Sequence, residues 1–253
     1  MATYSAYLET GDSGTCMAHV LHPSGPIPLG SSLPGCFARA DDRETALRRV
    51  PAAVREYMDW LCRHGETDLP KADPIQIELA GESHGMGPFN PGDAAALFAP
   101  DIPPITHKEM ERYFRLMAYA RADLLAVFVD ESLKSDEVLD WQPNAQAFSI
   151  RHTLRHVGNA EEWYVSRLLP PERLPPEWEH DDALPLFDFL KMERRTALDR
   201  LRRLTDAERS EIFHPVHWTQ HPEEAWTARK VLRRFVEHER EHTGQVKELL
   251  LRS

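Results

Sequence analysis

Residues 237–242 read Glu-His-Glu-Arg-Glu-His, and Thr243-Gly244-Gln245-Val246 follows directly. Two histidines four positions apart lie on the same side of a helix, because four residues advance the chain by about one turn. Apolar residues at helical spacing surround them, which places His238 and His242 on the face that meets the core. Buried imidazole nitrogens need partners, and a bound divalent metal would satisfy both rings.

Composition narrows the class of protein. The chain has 253 residues and a formal net charge of −11, so a broad nucleic-acid surface, which needs a basic patch, is not expected. The three cysteines have no CxxC spacing and predict neither a disulfide framework nor a thiolate metal site. No apolar run approaches the roughly 18 residues of a membrane span, and the start lacks a secretion signal. We expect a soluble cytoplasmic protein with a small-molecule substrate and no nucleic-acid or membrane partner.

The first part of the chain predicts a small α+β module over residues 1–80. Alternating short runs predict a hairpin of strands at 4–9 and 16–21, a third strand at 34–40 and a fourth at 75–79. Asp41 or Asp42 is typical of a helix N-cap, and Gly65 of a stop signal. Pro51 within this predicted helix should kink it or mark a break.

The second part predicts an all-α four-helix bundle over residues 106–253, after a Gly- and Pro-rich linker at 81–105. Thr106 and Glu109 form a capping box that opens the first helix. Apolar stripes predict three more helices at about 149–169, 184–204 and 228–251. Because metal sites in such bundles are built from facing helices, a third ligand is expected from another helix.

His156 is the best candidate for this third ligand. On a helical wheel it lies about 40° from Ala160, at the edge of the apolar stripe of the second bundle helix. His152 forms a second pair at spacing four with His156, but it should face outward and is a poor ligand. The three ring nitrogens of His156, His238 and His242 are predicted to converge to about 3–4 Å, as bonds near 2 Å to one metal require.

These residues carry a resemblance to a known family. Leu154-Arg155-His156-Val157 with Glu161-Glu162-Trp163-Tyr164, and 238–245 reading His-Glu-Arg-Glu-His-Thr-Gly-Gln, resemble the DinB-like superfamily of four-helix bundles. The resemblance implies a divalent metal, zinc or nickel, held by His156, His238 and His242. It also implies a low-molecular-weight thiol as a co-substrate and leaves a homodimer open. Glu239 has no role as a base in that chemistry, so the segment does not indicate a protease.

The front module has its own resemblance. Residues 33–38 (Leu-Pro-Gly-Cys-Phe-Ala), 44–47 (Glu-Thr-Ala-Leu) and 64–66 (His-Gly-Glu) resemble the HicB-like fold, a partial RNase-H-like module found in antitoxins. The likeness covers residues 3–79. The DNA-binding region that often follows in antitoxins is replaced by the predicted bundle, and the module carries no evident catalytic residue.

Two further side chains have alternative interpretations. Arg194 lies within about 40° of the apolar centre of the third bundle helix, where it would either clamp a substrate carboxylate or extend to the bundle surface. Trp163 would either contact substrate or pack in the core.

Three functions follow as hypotheses. The leading one is a metal-dependent enzyme, a thiol transferase or isomerase in which the metal activates a low-molecular-weight thiol toward an electrophile. No side chain stands out as a general base, so the catalytic residues beyond the metal ligands are not identified. The alternatives are a non-catalytic metal-binding or ligand-binding stress-response protein and an interaction module led by the HicB-like part.

Overall fold

The structure is a computed structural model. It describes residues 2–11, 13–21, 33–67, 69, 74–84, 96–179, 183–215, 218–219 and 224–252. Among these residues, none of the helices combines the length and apolar character needed to span a membrane. The glycines and prolines of the expected linker between 85 and 95 lie outside the described ranges.

A four-stranded sheet forms the first unit. Its strands are β1 (Ala2–Thr10), β2 (Cys16–Leu21), β3 (Phe37–Ala40) and β4 (Ile75–His84), in the order β3-β2-β1-β4. β1 pairs antiparallel with β2 and parallel with β4, and β2 pairs antiparallel with β3. The predicted strands are confirmed, but β4 runs five residues past the expected end because Gly81 to His84 continue the pairing with β1.

Helix α1 (Arg43–Arg63) provides the crossover to the parallel strand and packs on the sheet. The Asp42 side chain caps it by accepting a hydrogen bond from the Thr45 backbone N–H. Pro51 lies inside the helix and does not interrupt it, so the expected break is wrong. Gly65 follows the end with a φ of 85°, a backbone conformation that favours glycine.

Among the described residues, the second part contains four long amphipathic helices, one α-helix of a single turn, α3 (Asp136–Leu139), and several short 3₁₀ turns. Thr106 and Glu109 form the predicted capping box, and Ser149 and Thr227 cap two further helices. The long helices are α2 (His107–Ala126), α4 (Ile150–Ser166), α5 (Leu186–Arg202) and α6 (Ala228–Leu250). Their bounds lie within about three residues of the predicted ones.

The sheet unit and the helical part share one hydrophobic core. Arg240 on α6 donates a hydrogen bond of 2.7 Å to the backbone oxygen of Gly35, and its guanidinium lies over the rings of Tyr57 and Trp60. The Trp60 indole N–H donates to Asp123 on α2 at 2.7 Å.

A buried group of charges also joins the sheet to α6. Glu237 lies 3.0 Å from His19 on β2 and 2.9 Å from Arg233, and Arg233 pairs with Asp101 at 2.8 Å. Burial opposes a charge on His19, but Glu237 and Glu9 together outweigh it and raise the pKa of that imidazole. A charge so far from water is tolerated because each member has an ionic partner.

Gly158 gives a test of the α4–α5 contact. A methyl group at Gly158 would overlap the ring of Phe189, so Gly158→Ala should lower the free energy of unfolding by about 1–3 kcal/mol, the usual cost of overpacking. Gly244→Ala on α6 is the matched control, because no described atom other than its chain neighbours and the nearby backbone of its own helix lies within 4 Å of the added carbon. Urea unfolding should show the control unchanged or more stable by up to about 1 kcal/mol. Equal stability of the two variants would contradict this packing.

Candidate metal centre

Helices α4 and α6 bring the three predicted histidines together. Nε2 of His238 lies 3.0 Å from Nε2 of His156 and 3.0 Å from Nε2 of His242. The ligand atoms of all three rings lie within 4.8 Å of one another. The convergence predicted from spacing and helical position is therefore present in the folded chain.

The cluster is closed on one side and open on the other. His238 is 5% exposed, His242 is half-buried and His156 is exposed to solvent. The ring of Tyr164 packs edge-on against His238, with ring centres 5.7 Å apart. A small molecule would therefore approach the three nitrogens from the side of His156.

The three imidazoles are held in their neutral form. Although His156 is exposed as a residue, desolvation of its ring beside the other two imidazoles, together with the neighbouring His242, lowers its pKa to about 4. Desolvation and His242 also hold the pKa of His238 well below its usual value. Burial also lowers the pKa of His242. Neutral imidazole is the form that binds a metal, so few protons would have to be displaced near pH 7.

Gln245 selects the tautomer of His242. Its side-chain oxygen lies 2.7 Å from Nδ1 of His242 and accepts the proton on that nitrogen. The lone pair is then left on Nε2, which faces His238. Such outer contacts orient the ligating histidines of known metal sites.

The donor set fits a divalent metal ion. A neutral ring nitrogen carries either one proton or one lone pair, so Nε2 of His238 cannot form good hydrogen bonds with both neighbouring Nε2 atoms if these present lone pairs. A cation between the rings would accept all three lone pairs. Bonds of about 2.0–2.1 Å in tetrahedral directions would place the nitrogens roughly 3.3 Å apart. The two distances from His238 are 3.0 Å, and all three ligand atoms lie within 4.8 Å of one another.

Four buried charges connect the long helices. Arg194 on α5 donates to Glu161 on α4 at 2.6 Å and to Glu239 on α6 at 2.7 Å. Arg121 on α2 donates to the same two carboxylates and to the backbone oxygen of Leu190 at 2.6 Å. Two cations balance two anions, so the network fixes α4 against α6 without leaving an unpaired charge.

The other two predicted site residues are engaged by partners outside the three rings. The guanidinium of Arg194 is engaged by Glu161, Glu239 and the backbone oxygen of Met117, so it is buried in ion pairs and does not extend to the bundle surface. Trp163 is half-buried, and its indole N–H donates to the backbone oxygen of Trp218. The substrate-binding roles of Arg194 and Trp163 stay predictions.

His152 and Glu239 behave as the sequence suggested. His152 is exposed and stacks on Phe148, outside the cluster. Glu239 is engaged by two arginines of neighbouring helices and is not among the residues that converge on the three rings.

Sequence reasoning missed Gln245 and the charge network. Gln245 follows His242 by three residues, a spacing at which helical side chains meet, and this spacing was a usable signal. The network had a weaker signal, namely that each long helix carries at least one charged residue on its buried face. Pairing two arginines with two glutamates required the relative positions of the helices, which local pattern does not supply.

The fold and site define a class of four-helix protein with a candidate metal centre between two helices. The family model of the DinB superfamily matches residues 116–246. This match covers more than half of the chain, and the chain belongs to the DinB superfamily. The matched segment begins after the sheet unit, so the HicB-like resemblance of residues 3–79 stays a prediction.

Among solved structures, YfiT from Bacillus subtilis is similar, with 20% sequence identity and a TM-score of 0.42. The match covers 58% of this chain and 89% of YfiT. YfiT is described as a probable metal-dependent hydrolase with an unusual four-helix bundle topology. No curated protein matches the chain.

The role of Arg194 can be tested by substitution. Arg194→Met keeps much of the side-chain volume but leaves Glu161 and Glu239 with one guanidinium between them, so the free energy of unfolding should fall by about 3–5 kcal/mol. Arg195→Met is the control, because Arg195 is exposed and its loss should cost less than about 0.5 kcal/mol. Both values come from urea unfolding. If Arg194→Met keeps full stability but loses substrate affinity, Arg194 is a substrate clamp.

Proposed function

We propose that this protein is a divalent-metal-dependent enzyme that transfers a low-molecular-weight thiol to an electrophile. His156, His238 and His242 would hold the metal. Zinc or nickel is the proposed ion, since both accept imidazole ligands and the resemblance of the histidine segments implies them. Membership of the DinB superfamily and the donor geometry support the metal. The thiol is supported by the resemblance of the histidine segments alone.

One observation carries the proposal: three neutral imidazole nitrogens point at one another and one side of the cluster is open. Structural zinc sites are closed by four protein ligands, whereas catalytic sites offer three and keep a position for water or substrate. Within the described residues, three side chains converge here, and His156 is exposed. The arrangement therefore favours a reactive centre.

The metal, when bound, would supply Lewis-acid chemistry that favours the anionic form of a thiol or water near neutral pH. The surrounding residues have separate tasks. Gln245 keeps the lone pair of His242 on Nε2, and Tyr164 covers the buried side of His238. Glu161 and Glu239, through their shared arginines, hold α4 and α6 at the separation that lets His156 meet His238.

Trp163 is the candidate for a side chain that contacts the substrate beside the metal centre. It follows His156 by seven residues on α4, which places the two side chains on the same side of the helix about two turns apart. Its ring is half-buried, with Arg167 lying over it at 4.5 Å. An apolar part of an electrophile could pack against this ring while its reactive atom reaches the histidines.

His242→Ala tests the metal site. The variant should lose bound metal, and its melting temperature should no longer respond to chelator or to added zinc, because a metal that binds the folded state stabilises it by mass action. His152→Ala is the matched control, since it removes an exposed histidine that contacts Phe148 instead of the cluster. Elemental analysis and thermal melts of protein purified without an affinity tag measure both effects. A wild-type protein that carries no metal and melts identically with chelator would overturn the proposal.

Thiol transfer is tested with the metal-loaded protein. Cysteine or glutathione is mixed with a haloaromatic or epoxide electrophile, and the loss of free thiol should accelerate with the parent and with His152→Ala but not with His242→Ala. Hydrolysis of an activated ester is followed in a parallel reaction. Ester turnover without thiol consumption would show water activation instead, and metal binding without either turnover would favour a non-catalytic metal-binding protein.

A further inference from the structure

A groove between α2 and α5 is separate from the three histidines. Its cavity has a volume of about 570 Å³, within the range of about 300–1,000 Å³ typical of small-molecule sites. Much of its lining is apolar, and Leu125 is 43% exposed there. The apolar lining residues are Leu125, Phe128, Phe187, Leu190 and Leu198.

The rim of this groove is basic although the chain is acidic. One carboxylate, that of Asp199, lines the groove, whereas its rim carries four basic side chains, those of Lys134, Lys191, Arg195 and Arg202. Lys191 and Arg195 are exposed and form no ion pair with the described residues. Lys134 is paired with Glu131 at 2.6 Å, and Arg202 lies over the ring of Phe114.

The cations deeper in the groove are already neutralised. Arg121 and Arg194 line it as well, but both are bonded to Glu161 and Glu239. Lys191 and Arg195 therefore present the uncompensated positive charge, one turn apart on the exposed side of α5. In a chain with a net charge of −11, this local excess of positive charge would attract an anion.

We propose that this groove binds a small amphipathic anion. Its hydrocarbon or aromatic body would lie on the apolar lining, and its carboxylate, sulfonate or phosphate head would meet Lys191 and Arg195. A second copy of the chain fits poorly, because a two-fold contact would place each basic rim against its own image. Nucleic acid fits poorly, because the lining beneath the rim is aliphatic and aromatic. The proposal does not depend on the metal centre, since none of its three histidines lines the groove.

The test measures binding of dodecanoate below its micelle concentration by isothermal titration calorimetry. The parent should bind dodecanoate and should bind the cation dodecyltrimethylammonium far less. The double variant Lys191→Glu/Arg195→Glu should weaken dodecanoate binding by about tenfold or more, because attraction becomes repulsion. Leu125→Gln should also weaken it, through the loss of apolar contact with the hydrocarbon chain.

The control is Arg48→Glu/Lys108→Glu, which changes the net charge equally at exposed positions outside the groove and should leave binding unchanged. Equal affinity for the anion and the cation, or unchanged affinity of Lys191→Glu/Arg195→Glu, would overturn the proposal. So would sedimentation of the parent as a dimer that Leu125→Gln dissociates while dodecanoate fails to bind. Binding to anionic lipid vesicles without binding of monomeric dodecanoate would assign the groove to a membrane surface instead.

Discussion

Two guanidinium groups and two carboxylates buried among α2, α4, α5 and α6 are the constraint on which the helical part depends. Each charge would be costly in the interior without its partners, and Arg194 and Arg121 each bond both Glu161 and Glu239. A shift of one helix along another would break several of these bonds at once. The network therefore fixes the register of α4 against α6, and this register places His156 opposite His238.

Helix α6 connects the sheet, the metal centre and the charge network through three consecutive residues. Successive side chains of a helix point about 100° apart, so Glu237, His238 and Glu239 face different neighbours. Glu237 meets His19 of the sheet unit, His238 meets His156 on α4, and Glu239 meets the two arginines. A helix that is polar on several sides can be buried only when each polar group finds a partner. These partners come from both halves of the chain.

The parts that could be predicted from sequence are those that local chemistry decides. Four helices begin at an N-cap whose side chain accepts a hydrogen bond from the backbone N–H three residues later, namely Asp42, Thr106, Ser149 and Thr227. Likewise, the spacing of His238 and His242 is enough to place them on one face of a helix. His156 was found because its position at the edge of an apolar stripe depends on one helix alone. At Pro51 a kink or a break was expected, and the break is wrong because α1 continues through it. The early end expected for β4 was wrong because pairing with β1 extends the strand. The charge network required contacts between distant helices.

The groove and the metal centre are joined by the same charge network. Arg121 and Arg194 line the groove, and their carboxylate partners lie on the two helices that carry the histidines. A ligand that moved either guanidinium would act on α4 and α6 through a contiguous set of bonded groups. Substitution of Arg194 would therefore alter both the charge network and the lining of the groove. A change in anion binding by such a variant could not be assigned to one of these two causes. Lys191 and Arg195 line the groove but do not belong to the charge network. Substituting them therefore tests the recognition of an anion without changing the geometry that brings the three histidines together.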